Sequence, residues 1–328
     1  MIAINHDNNG SVQQSFLEAM VNLLRDQEQE VRTIAAEKLQ NFAAGLNENG
    51  RDQVILNNLL DPIQTLSHDP SQHVRTALAS IVMGVAPLIG NAYTNEHLLP
   101  LYLHLLKDEC SDVRLNIIKN IHQLNQVMSI DQLMNSILPA VVDLAQDGKW
   151  RVRLAIIEHM PLLAGQLGRE VFESKLSELV LGWLSDSVYA IREQACKNVT
   201  KLAEYFGESW IDQCLFPHLQ QLSGETSYLR RLTSIFAVND LISILNLKQI
   251  SSIVLPILEQ SSKDEVPNVR FNVAKSFRLI NERMEGLDLE NSDIPGKTKT
   301  ILDVLKEDSD PDVKYYAEES YRIWAGGK

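Results

Sequence analysis

The sequence of 328 residues has few of the features that mark a secreted, zinc-binding or membrane-spanning protein. Its three cysteines, Cys110, Cys196 and Cys214, are odd in number and lack CxxC spacing, which argues against a disulfide framework and a zinc site. No apolar run approaches the roughly 18 residues that a membrane span needs. The N-terminus also lacks the basic and then apolar pattern of a signal peptide. We therefore expect reduced thiols and a cytoplasmic protein that is also present in the nucleus.

Catalytic motifs and clustered basic residues are missing as well. GxGxxG, GxxxxGK[ST] and GxSxG do not occur, so neither a phosphate-binding loop nor a nucleophile elbow is predicted. The eight histidines form no HExxH frame. A net charge of −13 disfavours nucleic acid, which is normally bound by clustered Lys and Arg. These observations predict a protein that is not an enzyme and has no cofactor, no metal ion, no membrane partner and no nucleic-acid partner.

The chain contains one frame of residues that recurs along its whole length. In this turn frame, a turn residue stands five positions before an apolar residue and six before a basic one, and an apolar helical run follows. Successive basic residues are 38 to 44 positions apart. A period near forty is typical of stacked helical pairs. The eight copies are Asp26/Val31/Arg32, Asp69/Val74/Arg75, Asp108/Val113/Arg114, Asp147/Val152/Arg153, Asp186/Ile191/Arg192, Gly224/Leu229/Arg230, Asp264/Val269/Arg270 and Asp308/Val313/Lys314.

The period predicts an all-α fold, a right-handed α-solenoid of about eight helix–turn–helix repeats. A polar leader, residues 1–11, is expected to be disordered, and residues 286–297 are expected to form a surface loop. We expect the turn aspartates to cap the second helices and the recurring prolines to bend the first helices. The repeats are expected near 12–48, 49–90, 91–129, 130–168, 169–207, 208–246, 247–288 and 289–326; the prolines are Pro62, Pro100, Pro139, Pro217 and Pro256.

Several stretches carry a more specific resemblance. HVRTALASIVMG (73–84), EHLLPLYLHLLKDECSDVRLNII (96–118), KWRVRLAIIEHMPLLAGQLG (149–168), VYAIREQA (188–195) and VPNVRFNVAKS (266–276) resemble the scaffold (A) subunit of protein phosphatase 2A. That family is a solenoid of HEAT repeats, of which this chain is similar to the C-terminal part. The resemblance implies a scaffold that binds the phosphatase catalytic subunit through its last five repeats. It also implies weak binding of regulatory subunits, which sit mainly on the N-terminal repeats of the family.

The resemblance places partner-binding residues on the turns of repeats four to eight. Trp150 and Arg151 match the Trp-Arg pair of the family, and Tyr189 and Tyr228 match aromatic residues of the next two turns. In the last turn, Lys314 and Tyr315 match a basic and an aromatic residue. From the residues alone, Trp150 could equally cover the seam between two repeats. The sequence departs from the family pattern at 224–227 and at 264–266.

The charged residues of the turn frame favour a structural role. An Asp on one turn can meet the Arg of an adjacent repeat, and such a ladder would set the stacking geometry even though each exposed pair contributes only about 0–1 kcal/mol. Arg151 lies outside this ladder and is therefore available to a partner. The predicted ladder residues are Asp26, Arg32, Asp69, Arg75, Asp108, Arg114, Asp147, Arg153, Asp186, Arg192, Asp264 and Arg270.

Two alternatives to a phosphatase scaffold stay open at this point. A transport or assembly adaptor of the same repeat class would bind a protein cargo on its concave face and would tolerate alanine at Trp150 and Arg151. A helical-repeat enzyme or nucleic-acid module would need a cluster of catalytic or basic groups, which the sequence does not show.

Overall fold

The computed structural model describes residues 9–120, 129, 131, 133–285 and 292–326. It is 81% helical and contains no strand in these ranges, so the predicted all-α class is confirmed. The first helix already begins at Asn9, inside the expected leader, and residues 1–8 lie outside the described part. Of the expected surface loop, residues 286–291 also lie outside it, and a helix begins at Ile294.

The helices form two compact units, one ending at Leu167 and the other beginning at Gly168. Within each unit, helices alternate between the first and the second member of a pair. Each second helix begins shortly after the turn residue of its frame. They span Gln29–Ala44, Gln72–Ile81, Ser111–Lys119 and Trp150–Leu167 in the first unit, and Tyr189–Phe206, Tyr228–Leu241, Pro267–Met284 and Pro311–Trp324 in the second.

Most first helices are built from shorter segments. Those of the first unit are Asn9–Leu24; Arg51–Val54, Ile55–Leu59 and Leu60–Leu66; Ala86–Tyr93, Thr94–Leu98 and Leu99–Leu106; and Leu133–Ile137 and Leu138–Leu144. Those of the second unit are Arg169–Lys175, Ser177–Gly182 and Trp183–Ser185; Glu208–Trp210, Ile211–Leu215 and Phe216–Ser223; Leu247–Gln249, Ile250–Val254 and Leu255–Ser261; and Ile294–Lys306. The short 3₁₀ segment Val82–Val85 extends the second helix of the second pair.

The recurring prolines coincide with widened turns of these first helices. Each of the five follows a five-residue π-helical segment, as Pro100 follows Thr94–Leu98. A proline ring clashes with the carbonyl four residues earlier and supplies no N–H for it. That fourth residue, Glu96 for Pro100, lies inside the π segment in every case. The chain therefore accommodates each proline by local widening of the helix.

The apolar residue of the turn frame anchors each second helix in the core. Val74, Val113 and Val152 in the first unit are completely buried, as are Ile191, Val269 and Val313 in the second; the list covers six of the eight frames. Burial of such a side chain contributes roughly 1.5–3 kcal/mol. The frame therefore combines a core residue and a charged residue on adjacent positions of one helix.

One stretch, Gln72–Leu106, is long and apolar enough to cross a membrane by length and composition. The backbone at Gly90, with φ 80° and ψ 169°, interrupts it, so the stretch comprises two helices rather than one continuous helix. Core helices of soluble proteins pass the same composition test, which makes this weak evidence for a membrane span.

Candidate partner-binding turns and the arginine ladder

The turn aspartates close the turn ahead of each second helix. Their Oδ1 atoms accept the backbone N–H two residues later at 2.7 to 2.9 Å, as Asp69 does from Ser71. That amide belongs to the residue just before the helix begins, so these aspartates form Asx turns and do not cap the helices as the sequence suggested. Asp310 is a true cap and accepts the amides of Asp312 and Val313.

The arginine six positions after each turn residue binds back to the same turn. Its Nη1 atom donates to the turn residue's carbonyl oxygen at 2.6 to 2.9 Å. This bond ties the first turn of the second helix to the preceding loop and orients the guanidinium. The arginines are Arg32, Arg75, Arg114, Arg153, Arg192, Arg270 and, in repeat six, Arg231, which bonds to the carbonyl of Glu225 rather than Gly224.

The remaining guanidinium nitrogens reach the aspartate of the following repeat. In the first unit, the Nε–Oδ2 distances are 2.7 Å for Arg32–Asp69, 2.7 Å for Arg75–Asp108 and 2.9 Å for Arg114–Asp147. In the second unit they are 2.6 Å for both Arg231–Asp264 and Arg270–Asp308. These five pairs form what we call the arginine ladder, and four of them are bidentate. Each aspartate thus holds its own turn and the neighbouring repeat at once.

Burial and hydrogen bonding in the ladder shift the pKa values of Asp108 and Asp308. The Asp108 side chain is 5% exposed and that of Arg75 is 9% exposed. Burial raises the pKa of Asp108, but hydrogen bonds from Arg75 and the Cys110 amide outweigh it, so the pKa lies below its ordinary value. For Asp308 the hydrogen bond from Arg270 is the largest cause, and its pKa is lowered too. Hydrogen bonds from the ladder arginines therefore favour the charged form of Asp108 and Asp308.

Repeat six departs from the frame read in the sequence. The arginine that joins the ladder is Arg231, whereas Arg230 is half-exposed and pairs with Glu225 at 3.4 Å. Leu229, expected at the buried frame position, is 40% exposed. The frame of this repeat is therefore Glu225/Arg230/Arg231. This register makes the repeat spacing regular. The distance in sequence is 39 positions from Arg192 to Arg231 and from Arg231 to Arg270, as it is from Arg114 to Arg153.

The turn of repeat six also breaks the ladder on its N-terminal side. Glu225 replaces the usual aspartate, and its longer carboxylate pairs with Arg230. Arg192, which precedes it in the ladder, bonds to the carbonyls of Asp186 and Ser187, while its Nε atom has no hydrogen-bond partner among the described residues. We call each Arg–Asp pair of the arginine ladder a rung. The departure at 224–227 noted in the sequence thus corresponds to a missing rung.

The corrected register aligns three of the candidate partner-binding residues. Trp150, Tyr189 and Tyr228 each occupy the first position of a second helix, three residues before the arginine of the frame. Tyr189 is 57% exposed, Tyr228 is 42% exposed, and Trp150 is half-buried. The same position holds Gln29, Gln72, Ser111, Pro267 and Pro311 in the other repeats. An aromatic side chain is therefore not required by the turn itself.

The charged candidates differ in their surroundings. Arg151 is exposed, and its guanidinium carbon lies 4.7 Å from the centroid of the Trp150 ring. Lys314 is half-buried and occupies the ladder position of the last repeat, and Tyr315 beside it is 61% exposed. A cation over an aromatic ring adds about 0.5–1 kcal/mol at such exposed sites and holds both groups in place. Arg151 and Tyr315 are thus the candidates of this group that the turns expose to solvent.

Comparisons with known proteins agree with this repeat pattern. Residues 10–90 match the family described as PPP2R1A-like HEAT repeat, and residues 98–128 match the HEAT repeat. A stretch of 112 residues is 47% identical to the beta isoform of the human 65 kDa regulatory (A) subunit of serine/threonine-protein phosphatase 2A, covering 34% of this chain and 19% of that protein. Over these stretches the chain is similar to the scaffold subunit of protein phosphatase 2A, and the matched repeats are of the HEAT type. The resemblance seen in the sequence is thereby confirmed.

More distant similarities extend over most of the chain. Human serine/threonine-protein phosphatase 4 regulatory subunit 1 is 26% identical over 275 residues, which cover 79% of this chain and 28% of that protein. The crystal structure of a Kap121p mutant superposes with a TM-score of 0.71 at 13% identity, over 95% of this chain and 33% of that one. At this identity the superposition shows the fold alone, an all-α solenoid. The chain spans about a fifth of the human phosphatase 2A subunit that it matches.

Proposed function

We propose that this HEAT-repeat chain is a non-catalytic scaffold that binds the catalytic subunit of a 2A-type Ser/Thr phosphatase through the turns of repeats four to eight. The relatives are named as regulatory subunits of phosphatases 2A and 4. Its action would be positional, because a stack of helical pairs held by ordered ion pairs presents its turns in a defined geometry. Any metal ions in the reaction would belong to the catalytic subunit.

The observation that carries this proposal is the shared register of Trp150, Tyr189 and Tyr228. Aromatic residues and arginine are enriched among the interface residues that contribute most binding energy. Here an aromatic residue occupies the same helical position in three consecutive repeats. The other repeats have small or polar residues or proline at this position. Exposure of Tyr189, Tyr228 and Tyr315 supports a role in binding a partner.

The remaining parts of the proposal follow from the relatives. We propose a cytoplasmic and nuclear location, where such a phosphatase partner would act. The karyopherin superposition supports the fold and not an adaptor function, because the identity is only 13%.

Calorimetric titration of the chain with phosphatase catalytic subunit tests the proposal. We expect tight binding by the wild type and a loss of roughly a hundredfold or more in the Trp150→Ala/Arg151→Ala variant, because each anchor can contribute about 2 kcal/mol or more. The matched control is Gln72→Ala/His73→Ala, which changes the same two positions of repeat two and should bind as the wild type does.

The folding of each protein is checked by circular dichroism before titration. A folded wild type that does not bind the catalytic subunit would refute the scaffold function. Unchanged binding by the Trp150/Arg151 variant would instead refute the place of the site while leaving a scaffold function intact.

A further inference from the structure

The missing rung between repeats five and six leaves a buried arginine without a counter-ion. Arg75 and Arg192 are the two arginines of the described ranges that are almost fully buried, and Arg192 is only 6% exposed. Arg75 forms a bidentate rung with Asp108. Arg192 donates from Nη1 to the carbonyl oxygens of Asp186 and Ser187, and it has no ion pair with any described residue. Because a buried charge without a partner is costly, an anion at this position would be stabilising.

The guanidinium of Arg192 keeps two donors for such an anion. In the rungs of the ladder, Nε binds one carboxylate oxygen and Nη2 binds the other, as in Arg231–Asp264 at 2.6 and 2.9 Å. Nε of Arg192 is buried and has no acceptor in the described part of the chain. Nη2 makes no hydrogen bond there either, and it is not fully buried. The Tyr189 ring lies 5.8 Å from the guanidinium carbon. A carboxylate can therefore approach from the side of Nη2.

A backbone amide of the next turn is also unused. Elsewhere the turn aspartate accepts the amide two residues later at 2.7 to 2.9 Å. Glu225 holds this position in repeat six, and its carboxylate pairs with Arg230 instead. The Ser227 amide has no acceptor among the described residues, and the Ser227 side chain does not cap the helix Tyr228–Leu241. In a complete rung one carboxylate joins the amide and the arginine, so the Ser227 amide and Arg192 are the two halves of one anion site.

The complete rungs indicate which anion fits this site. Each of them holds a carboxylate, whose two oxygens match the fork of the guanidinium. The net charge of −13 opposes an approaching anion. Solvent ions screen charges that lie more than about 8 Å away at physiological ionic strength. A single carboxylate in contact with Arg192 is therefore governed by that arginine, whereas a long acidic segment would be repelled.

We propose that one acidic side chain of the phosphatase catalytic subunit completes the missing rung, with its carboxylate between Arg192 and the Ser227 amide. This inference rests on the proposed scaffold function and names a specific contact within it. The position of the rung supports it, because Tyr189 contacts Arg192 and Tyr228 directly follows Ser227. A protein that binds these two tyrosines also reaches the rung between them.

Glu225→Asp tests the proposal, because it supplies the missing carboxylate from within the chain. We expect the aspartate to pair with Arg192 and to exclude the carboxylate of the partner. Calorimetric titration with the catalytic subunit should then show binding weakened about tenfold, the effect of losing a hydrogen bond to a charged group. The same variant should resist urea better than the wild type, so damaged folding would not explain its weaker binding. The control is Glu109→Asp, a 90% exposed acid of the third turn, which should bind as the wild type does.

Arg192→Gln removes the other side of the contact. It should also weaken binding about tenfold, but it should add little in the Glu225→Asp background, where the rung is already closed. Equal binding by the wild type and a stabilised Glu225→Asp variant would overturn the proposal and leave the scaffold function intact. If Glu225→Asp gains no stability, unchanged binding by Arg192→Gln overturns it instead. A folded wild type that does not bind the catalytic subunit would refute both the contact and the scaffold function.

Discussion

At the scale of single residues, Glu225 is the most informative departure from the pattern. In the other described turns an aspartate accepts the amide two residues on, and in at least five of them it also pairs with the arginine of the preceding repeat. Glutamate carries one more methylene, and here its carboxylate turns to Arg230. One extra carbon therefore removes both the Asx turn and the rung.

Glu225→Asp should restore that rung. We expect the shorter carboxylate to accept the Ser227 amide and to reach Arg192, raising the free energy of unfolding by about 1 kcal/mol. Urea denaturation followed by circular dichroism measures the change. Glu265→Asp, an 85% exposed acid of the next turn, is the control and should change little. A stability that falls, or stays equal, in Glu225→Asp would show that the missing rung has no energetic consequence.

At the scale of the element, the turn and the start of the second helix act as one unit. The aspartate closes the loop, the arginine returns to the loop carbonyl, and the buried valine between them anchors the helix in the core. Breaking one partner of a buried pair leaves the other charge unsatisfied, which is more destabilising than losing the exposed pair Arg25–Asp61. The rung between Arg75 and Asp108 therefore depends on both residues being charged.

The lowered pKa values of Asp108, Asp264 and Asp308 predict acid sensitivity. A carboxyl whose folded pKa lies below its unfolded value stabilises the fold above that unfolded value, here 3.8. The stabilisation is lost as pH falls from there through the folded pKa. We expect the free energy of unfolding to decrease below about pH 4, and to decrease less steeply in Asp308→Asn, which lacks one of these groups.

Urea titrations at a series of pH values measure this dependence. Asp61→Asn, in which an exposed carboxylate outside the arginine ladder is removed instead, is the matched control for the substitution. Parallel slopes for the wild type and Asp308→Asn would contradict a contribution from this rung.

At the scale of the whole molecule, the helical pairs of each unit pack against their neighbours along the chain, as in other repeat proteins. The second unit, from Gly168 onward, contains its own helical pairs and two rungs of the ladder, Arg231–Asp264 and Arg270–Asp308. Stability in such a stack is the sum of repeat and interface contributions. No single central core is required.

A fragment of residues 168–328 should therefore fold by itself. We expect a helical circular dichroism spectrum and a cooperative thermal transition, because all pairs of this unit are retained. A fragment of residues 200–328, which cuts the helix Tyr189–Phe206, should be less stable, since repeat six loses its packing partner. A 168–328 fragment without helical structure would show that the second unit depends on the first.

Much of this architecture could be predicted because its signals are local. The period of the turn frame, the all-α class and the phosphatase-scaffold resemblance all follow from residues at constant spacing along the chain. The expected capping by aspartate was wrong because the spacing alone does not show which amide a carboxylate accepts. The repeat boundaries and the roles of Trp150 and Arg151 in binding stay predictions.

The sequence by itself determined the repeat, the turn aspartates and the aromatic residues of the turns, since each depends on residues only a few positions apart. Tertiary structure alone decided that Arg231 and not Arg230 joins the ladder. Neighbouring positions on a helix point about 100° apart, and packing selects which one faces the next repeat. It also brought Phe271 and Lys275 of one second helix against Tyr316, which lies about one repeat further along the chain and meets them only because adjacent second helices stack.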